Sequence, residues 1–255
     1  MFRSARHSGI GFLAALGIAL VVGVRLPRGD DPNYIQFAGD QAFTVWSNAG
    51  FLIAGVAGLI VLARVRTPEK WPLALFFAAN IATCFGSAWF HMQPDLGARL
   101  AWDRLPMTIA FAAFLGLQIN ERIRMGLGTR WMVPLAILGA GTVGWWLQTK
   151  DLGFYSAYQA FAAGGTLFLL IFFAPLYTGD RYYFAGMAFY GVAKICEVLD
   201  RPIFDAIGVS GHTLKHVVAA GTTAMVVVHL STRAVMCVTA RVPVSTDIAP
   251  HLEEE

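Results

Sequence analysis

The stretch Ser210-Gly-His-Thr-Leu-Lys-His216 opens the last strongly apolar segment of this 255-residue chain, and its reading as the start of a helix organises the rest. Residues four apart on an α-helix lie one above the other on one face, so a single metal ion could reach both His212 and His216. A second signal with the same spacing lies far upstream in Phe85-Gly-Ser-Ala-Trp-Phe-His91, where Ser87 precedes His91 by one turn. Asp103 follows after a short polar turn. Three histidines, a serine and a carboxylate are the chemistry to explain in an otherwise apolar chain.

With 56% hydrophobic and only 14% charged residues, the composition is too apolar for an ordinary soluble domain and is that of a polytopic membrane protein. Cys84, Cys196 and Cys237 each sit in an apolar stretch, which argues against a secreted-type disulfide framework and for small buried hydrophobes. The excess of Lys and Arg over Asp and Glu, 19 against 16, is slight and concentrated in loops, with no basic face suited to nucleic acid.

Arg3, Arg6 and His7 precede an apolar run from roughly residue 9 to 26, whose one charge is Arg25 near its end, about the ~20 residues a membrane span needs. The region before Pro27 lacks a small-x-small cleavage site, so this run reads as an uncleaved first helix rather than a signal peptide. A polar loop with Asp30, Asp31, Asn33 and Asp40 follows. Further apolar segments run roughly over 42–63, 71–91, 102–120, 131–147, 157–176, 182–199 and 212–235, each long enough to span with or without tilt. Backbone groups in lipid must be satisfied within a segment, so runs this apolar and this long are helices, and the lack of strand-like alternation argues against a barrel. The expected architecture is an all-α membrane helix bundle with a seven-helix core and one extra N-terminal helix. It divides into the first helix and its polar loop (1–38), the core (39–238) and a tail (239–255).

The positive-inside rule sets orientation. With the N-terminus cytoplasmic, the inner loops hold Arg64, Arg66, Lys70, Arg122, Arg124, Arg130, Arg181, Arg233 and Arg241, against Arg28, Arg99, Lys150 and Arg201 outside, with Arg104 at a helix start. This bias fits both termini inside. It also puts Ser87, His91, Asp103, His212 and His216 at one depth near the outer face, although they come from three different segments.

Ionisable groups within spans cost roughly 2.5–3.5 kcal/mol at mid-helix on insertion scales, so they are functional hypotheses by default. A lone histidine near a helix end is more often a hydrogen-bonded interfacial residue, and His229 is read that way. Three histidines converging at one depth favour metal binding, since three neutral imidazoles with an open position form a common catalytic zinc arrangement. Such an ion lowers the pKa of its bound water to about 7 and so provides a nucleophile. Asp103 is then the candidate general base and proton shuttle, against the plainer reading of an N-cap or an ion pair with Arg104. Ser87 could donate to a developing oxyanion, against back-bonding to the carbonyl four residues earlier. Glu197 and Asp200 are candidate partners for the imidazoles, though a salt-bridge group of Lys194, Glu197, Asp200, Arg201 and Lys215 is the simpler expectation. Ser47 and Asn48 read as packing and hydrogen-bonding groups.

Ser87-x-x-x-His91, Asp103 in Trp-Asp-Arg-Leu-Pro-Met and His212-x-x-x-His216 resemble the alkaline ceramidase family, within the wider superfamily of seven-helix membrane hydrolases that includes the adiponectin receptors. The likeness extends to Val45-Trp-Ser-Asn48 and covers roughly residues 40–235, with the motifs on the first, second, third and seventh core segments. The resemblance implies a zinc-dependent amidase that cleaves the N-acyl bond of ceramide-like lipids to a fatty acid and a sphingoid base. It makes His91, His212 and His216 the zinc ligands, with Ser87 and Asp103 completing the site. The calcium site of the eukaryotic members has only a loose counterpart here in Asp30, Asp31, Asn33 and Asp40, whose spacing does not fix a site. The extra first helix is similar to bacterial relatives, which implies a bacterial inner membrane and leaves the native lipid open.

Three other classes use the same residues. A b-type haem protein needs ligands on opposite faces of a ring, which two histidines on one helix face do not supply. A receptor or transporter would hold a structural metal, and a serine hydrolase would use Ser87 without one.

Overall fold

The computed structural model describes residues 40–95 and 97–236. The first helix, the loop with Asp30, Asp31 and Asn33, and the tail lie outside the described residues. Within them the chain is helical, with one isolated bridge, Tyr177 to Val235, in place of any sheet. In chain order the helices are α1 (Gln41–Ser47), α2 (Ala49–Arg64), α3 (Lys70–Met92), α4 (Ala98–Arg122), α5 (Leu127–Thr149), α6 (Gly153–Phe172), α7 (Asp180–Val198), α8 (Asp200–Ile207) and α9 (Gly211–Thr232).

These helices fall on all seven expected core stretches, with α1 and α2 joined as one 24-residue run across Asn48. Five are long and apolar enough to cross a bilayer: Gln41–Arg64, α3, α4, α6 and α9. The chain is therefore a multi-pass integral membrane protein. Helix α7 falls short because its 19 residues carry Asp180 and Arg181 at one end and Lys194 and Glu197 at the other. The short α8 was not expected, since eight residues with Asp200, Arg201 and Asp205 carry no spanning signal.

Helix α4 is the axis of the bundle. Every residue from Ala112 to Arg122 is buried, the pattern of a helix surrounded on all sides. It packs against α3, α5 and α6, while α9 packs against α7 and α2, and α2 against α3. In a bilayer such contacts gain little from removing apolar surface and depend instead on close van der Waals fit, which small residues permit. The outward surface carries exposed large apolar side chains such as Trp46, Ile53, Phe85, Ile137 and Val198. Exposed Trp46, Trp89, Trp102 and Trp145 ring one end of the bundle, and Trp71 and Trp131 mark the other. Tryptophans in two such levels are the mark of the two membrane–water interfaces.

One contact fixes the end at which the candidate residues lie. Pro106 sits inside α4 and has no N–H for the carbonyl four residues earlier, that of Trp102. That oxygen instead faces Gly86 of α3, where an added Cβ would stand only 2.1 Å from it. The two helices can approach this closely only because residue 86 is glycine. Their immediate neighbours, Ser87 and Asp103, are thereby drawn into one site.

Candidate metal centre

Helix direction alone brings five sequence-flagged residues to one end: Ser87 and His91 close α3, Asp103 lies early in α4, and His212 and His216 open α9. All five are buried. The start of α9 is tightly held. Ser210 caps it, accepting a hydrogen bond from the Thr213 N–H at 2.9 Å, and Asp200 at the head of α8 accepts from the His212 N–H at 2.8 Å. Asp40 accepts from Thr213 Oγ1 at 3.0 Å, so two carboxylates complement the positive end of this helix. At the end of α3, the Gln41 Nε2 amide donates to the His91 and Met92 carbonyls at 3.1 and 2.8 Å and fixes the turn that carries His91.

The three imidazoles converge. His212 Nε2 and His91 Nε2 are 3.1 Å apart, and one nitrogen from each of the three rings can be chosen so that all lie within 4.8 Å of one another. Zinc–nitrogen bonds of about 2.0–2.1 Å in a tetrahedron separate ligand nitrogens by about 3.3 Å, so the cluster has the size of a metal site. The tautomer of His216 follows from its neighbour. Ser47 Oγ donates its one proton to the Thr44 carbonyl at 2.7 Å, so at 2.9 Å from His216 Nδ1 it can only accept. In that arrangement the proton is on Nδ1, and the Nε2 lone pair of His216 is left for another partner. Three histidines placed in this way could hold a metal ion. Rings that share one point leave no room for a porphyrin between them.

Ser87 Oγ lies 3.5 Å from His216 Nε2 and within hydrogen-bonding reach of the Asp103 carboxylate. Asp103 sits in the second turn of α4 and does not cap it. The neighbouring Arg104 guanidinium packs over the Trp146 ring at 4.2 Å and near Tyr155 at 5.2 Å. Ser87, Asp103 and His216 border a cavity of about 380 Å³ whose other walls include Phe51, Met107 and Phe111.

The expected salt-bridge group forms only in part. Glu197 bonds Lys194 at 2.5 Å and Lys215 at 3.1 Å, whereas Arg201 pairs with Asp205 and Asp200 serves the His212 backbone. Asp200 thus orients a histidine through its main chain rather than its ring. Ser47 is the residue that sequence reasoning undervalued: its partner His216 lies 169 positions away, and nothing in the spacing of either indicates the pairing. Asn48, read alongside it, bonds the Thr44 carbonyl and stays structural. His229, read as a hydrogen-bonded residue near a helix end, turns inward in the last turn of α9. It is buried against Tyr183, ring centroids 4.0 Å apart, and its nitrogens make no hydrogen bond of ordinary geometry among the described residues, although the Thr178 backbone lies beside it. Cys84 and Cys196 are buried free thiols, and Cys237 is outside the described residues.

Fold and site together define a multi-pass membrane protein with a buried three-histidine centre at one end of an all-α bundle. No family model matches the chain, and no curated protein matches it.

Proposed function

We propose that this chain is a zinc-dependent intramembrane amidase that hydrolyses the N-acyl bond of ceramide-like lipids to a fatty acid and a long-chain amine. One observation carries the reading: His91, His212 and His216 converge, and His216 borders a single cavity together with Ser87 and Asp103. His91, His212 and His216 are the zinc ligands. When bound there, zinc supplies Lewis acidity that polarises a carbonyl and lets water act as a nucleophile near neutral pH. Asp103 takes the proton released as water adds to the amide carbon and returns it to the nitrogen as the C–N bond breaks. Ser87 donates a hydrogen bond to the oxygen on which negative charge develops. Asp40, Asp200 and Ser47 hold the ligand-bearing helices and rings in place.

Depth supports a lipid substrate. Trp89 and Trp102, which flank His91 and Asp103 in the chain, belong to the interfacial level where a lipid amide resides. Arg64, Arg66, Lys70, Arg122, Arg124, Arg130 and Arg181 all fall at the opposite end, which supports a site near the outer face of a bacterial inner membrane.

The test is metal content by elemental mass spectrometry together with hydrolysis of N-acyl lipids, ceramides first. Purified parent protein is expected to hold near one zinc per chain and to release fatty acid. A His212→Ala, His216→Ala double variant is expected to hold almost none and to release none. Equal zinc in the two preparations, or zinc without amide turnover across the lipid panel, sinks the proposal.

A further inference from the structure

We infer that Asn80 and Thr223 are positioning residues for the metal centre: their hydrogen bond sets the axial register of α9 on α3, and with it the distance from His91 to His212 and His216. This deepens the amidase reading and rests on its claim that those three histidines hold an ion. A regularity along both helices points to it. His91 meets His212 at the outer end. Four positions before His91 and four after His212, Ser87 meets His216. Eleven positions before His91 and eleven after His212, Thr223 Oγ1 donates to Asn80 Oδ1 at 2.7 Å. Close to the same register, Arg233 past the end of α9 donates to Glu69 at the head of α3. Equal steps along both chains mean that the two antiparallel helices run side by side without slipping.

Both residues are buried, and each is committed to the bond. The Asn80 amide donates to the Phe76 carbonyl of its own helix at 2.8 Å, which leaves its oxygen for Thr223. Helix threonines usually bond back to a carbonyl of their own helix, as Thr83 and Thr232 do here, whereas Thr223 gives its one proton to the neighbouring helix. At the outer end α1 ties to both helices, through Gln41 to the end of α3 and through Ser47 to His216. One tied end leaves two rods free to tilt; a second fixed point about 16 Å deeper does not. A slip of one residue would move a ligand by about 1.5 Å, and metal–ligand distances tolerate only about 0.2 Å. The bond also stands between the histidines and the Arg233 network, so the centre keeps its register when that network is disturbed.

Metal geometry separates positioning from plain stability. Full-length protein in phospholipid nanodiscs is loaded with Co2+, whose visible absorption reports ligand geometry, and zinc affinity is measured by chelator competition. The double variant Asn80→Leu, Thr223→Val removes the bond without stranding a buried partner, so its unfolding midpoint is expected to stay near that of the parent. Its zinc affinity is expected to fall roughly tenfold, with an altered cobalt spectrum. Thr223→Val alone should show the same two changes, and Thr223→Ser, which keeps the hydroxyl, should match the parent in both. The control is the adjacent Thr222, which donates to the Gly186 carbonyl of α7 at 3.0 Å: Thr222→Val removes a bond between helices and should change neither affinity nor spectrum. Parental affinity and spectrum in the Thr223→Val variants overturn the inference, as does an equal loss in Thr222→Val. A parent that takes up neither zinc nor cobalt defeats the metal reading itself. Metal binding that depends on Thr223 without any amide turnover upholds the positioning role and defeats the amidase.

Discussion

The two ends of the bundle both bury ionisable groups, and they satisfy them in opposite ways. At the end away from the histidines, Arg233 donates to Glu121 at 2.6 Å and to Glu69 at 2.9 Å while stacking over Tyr177 at 4.0 Å. Tyr177 and Tyr183 donate to the same two carboxylates at 2.9 and 3.1 Å, and Arg122 pairs with Asp180 at 2.6 Å. Burial and the Glu69 carboxylate push the Tyr177 phenol up to about 12, so it remains a donor at any physiological pH. Opposite charges here neutralise each other and tie the helix ends together. At the histidine end, Nε2 atoms of two neutral rings face each other at 3.1 Å, and the serine and carboxylate beside them border a cavity. Either one ring donates to the other or both turn lone pairs toward a shared cation. Burial of a charge in a membrane protein therefore does not by itself mark a site. Convergence of like-natured ligands beside open space does.

Three substitutions sharpen this contrast. Asp103→Asn keeps the shape of the histidine end and removes its base, and amide turnover is expected to fall by roughly 10²–10⁴-fold with zinc content unchanged. A rate within a few-fold of the parent would return Asp103 to a structural role. Arg233→Met strands Glu69 and Glu121 without their cation, and is expected to destabilise the protein by about 3–5 kcal/mol in reversible unfolding from micelles. The folded fraction should still bind zinc with parental affinity; a weakened metal affinity would mean that the two ends are coupled. Ser47→Ala removes the acceptor that fixes the His216 tautomer, and zinc affinity in chelator competition is expected to drop by about 10–100-fold. An unchanged affinity would show that His216 needs no such partner.

Much of the histidine end could be read from the sequence because its ligands are spaced within helices. His212 and His216, or Ser87 and His91, are related by the fixed rise and turn of an α-helix, so four positions imply one face. The opposite end could not be read in this way. Glu121 and Arg233 are 112 positions apart, and Glu69 and Arg233 are 164 apart. Arg233 reads from the sequence as an ordinary loop charge that helps set topology. His229 is a further example: the same residue type near a helix end reads as interfacial, yet packing closes Tyr183 over it.

The sequence by itself determined that the chain is an all-α membrane protein, because long apolar runs in lipid have no other way to satisfy their backbone. It also determined which residues share a helix face and which helix ends share a level. The tertiary structure alone decided that His91 meets His212 and His216 at metal-ligand distance, that Ser47 fixes the tautomer of His216, and that Glu197 joins two lysines at the cavity mouth. Those pairings depend on how closely helices approach and how they are rotated. Both are set by contacts such as Gly86 against the Trp102 carbonyl, which no spacing within one segment encodes.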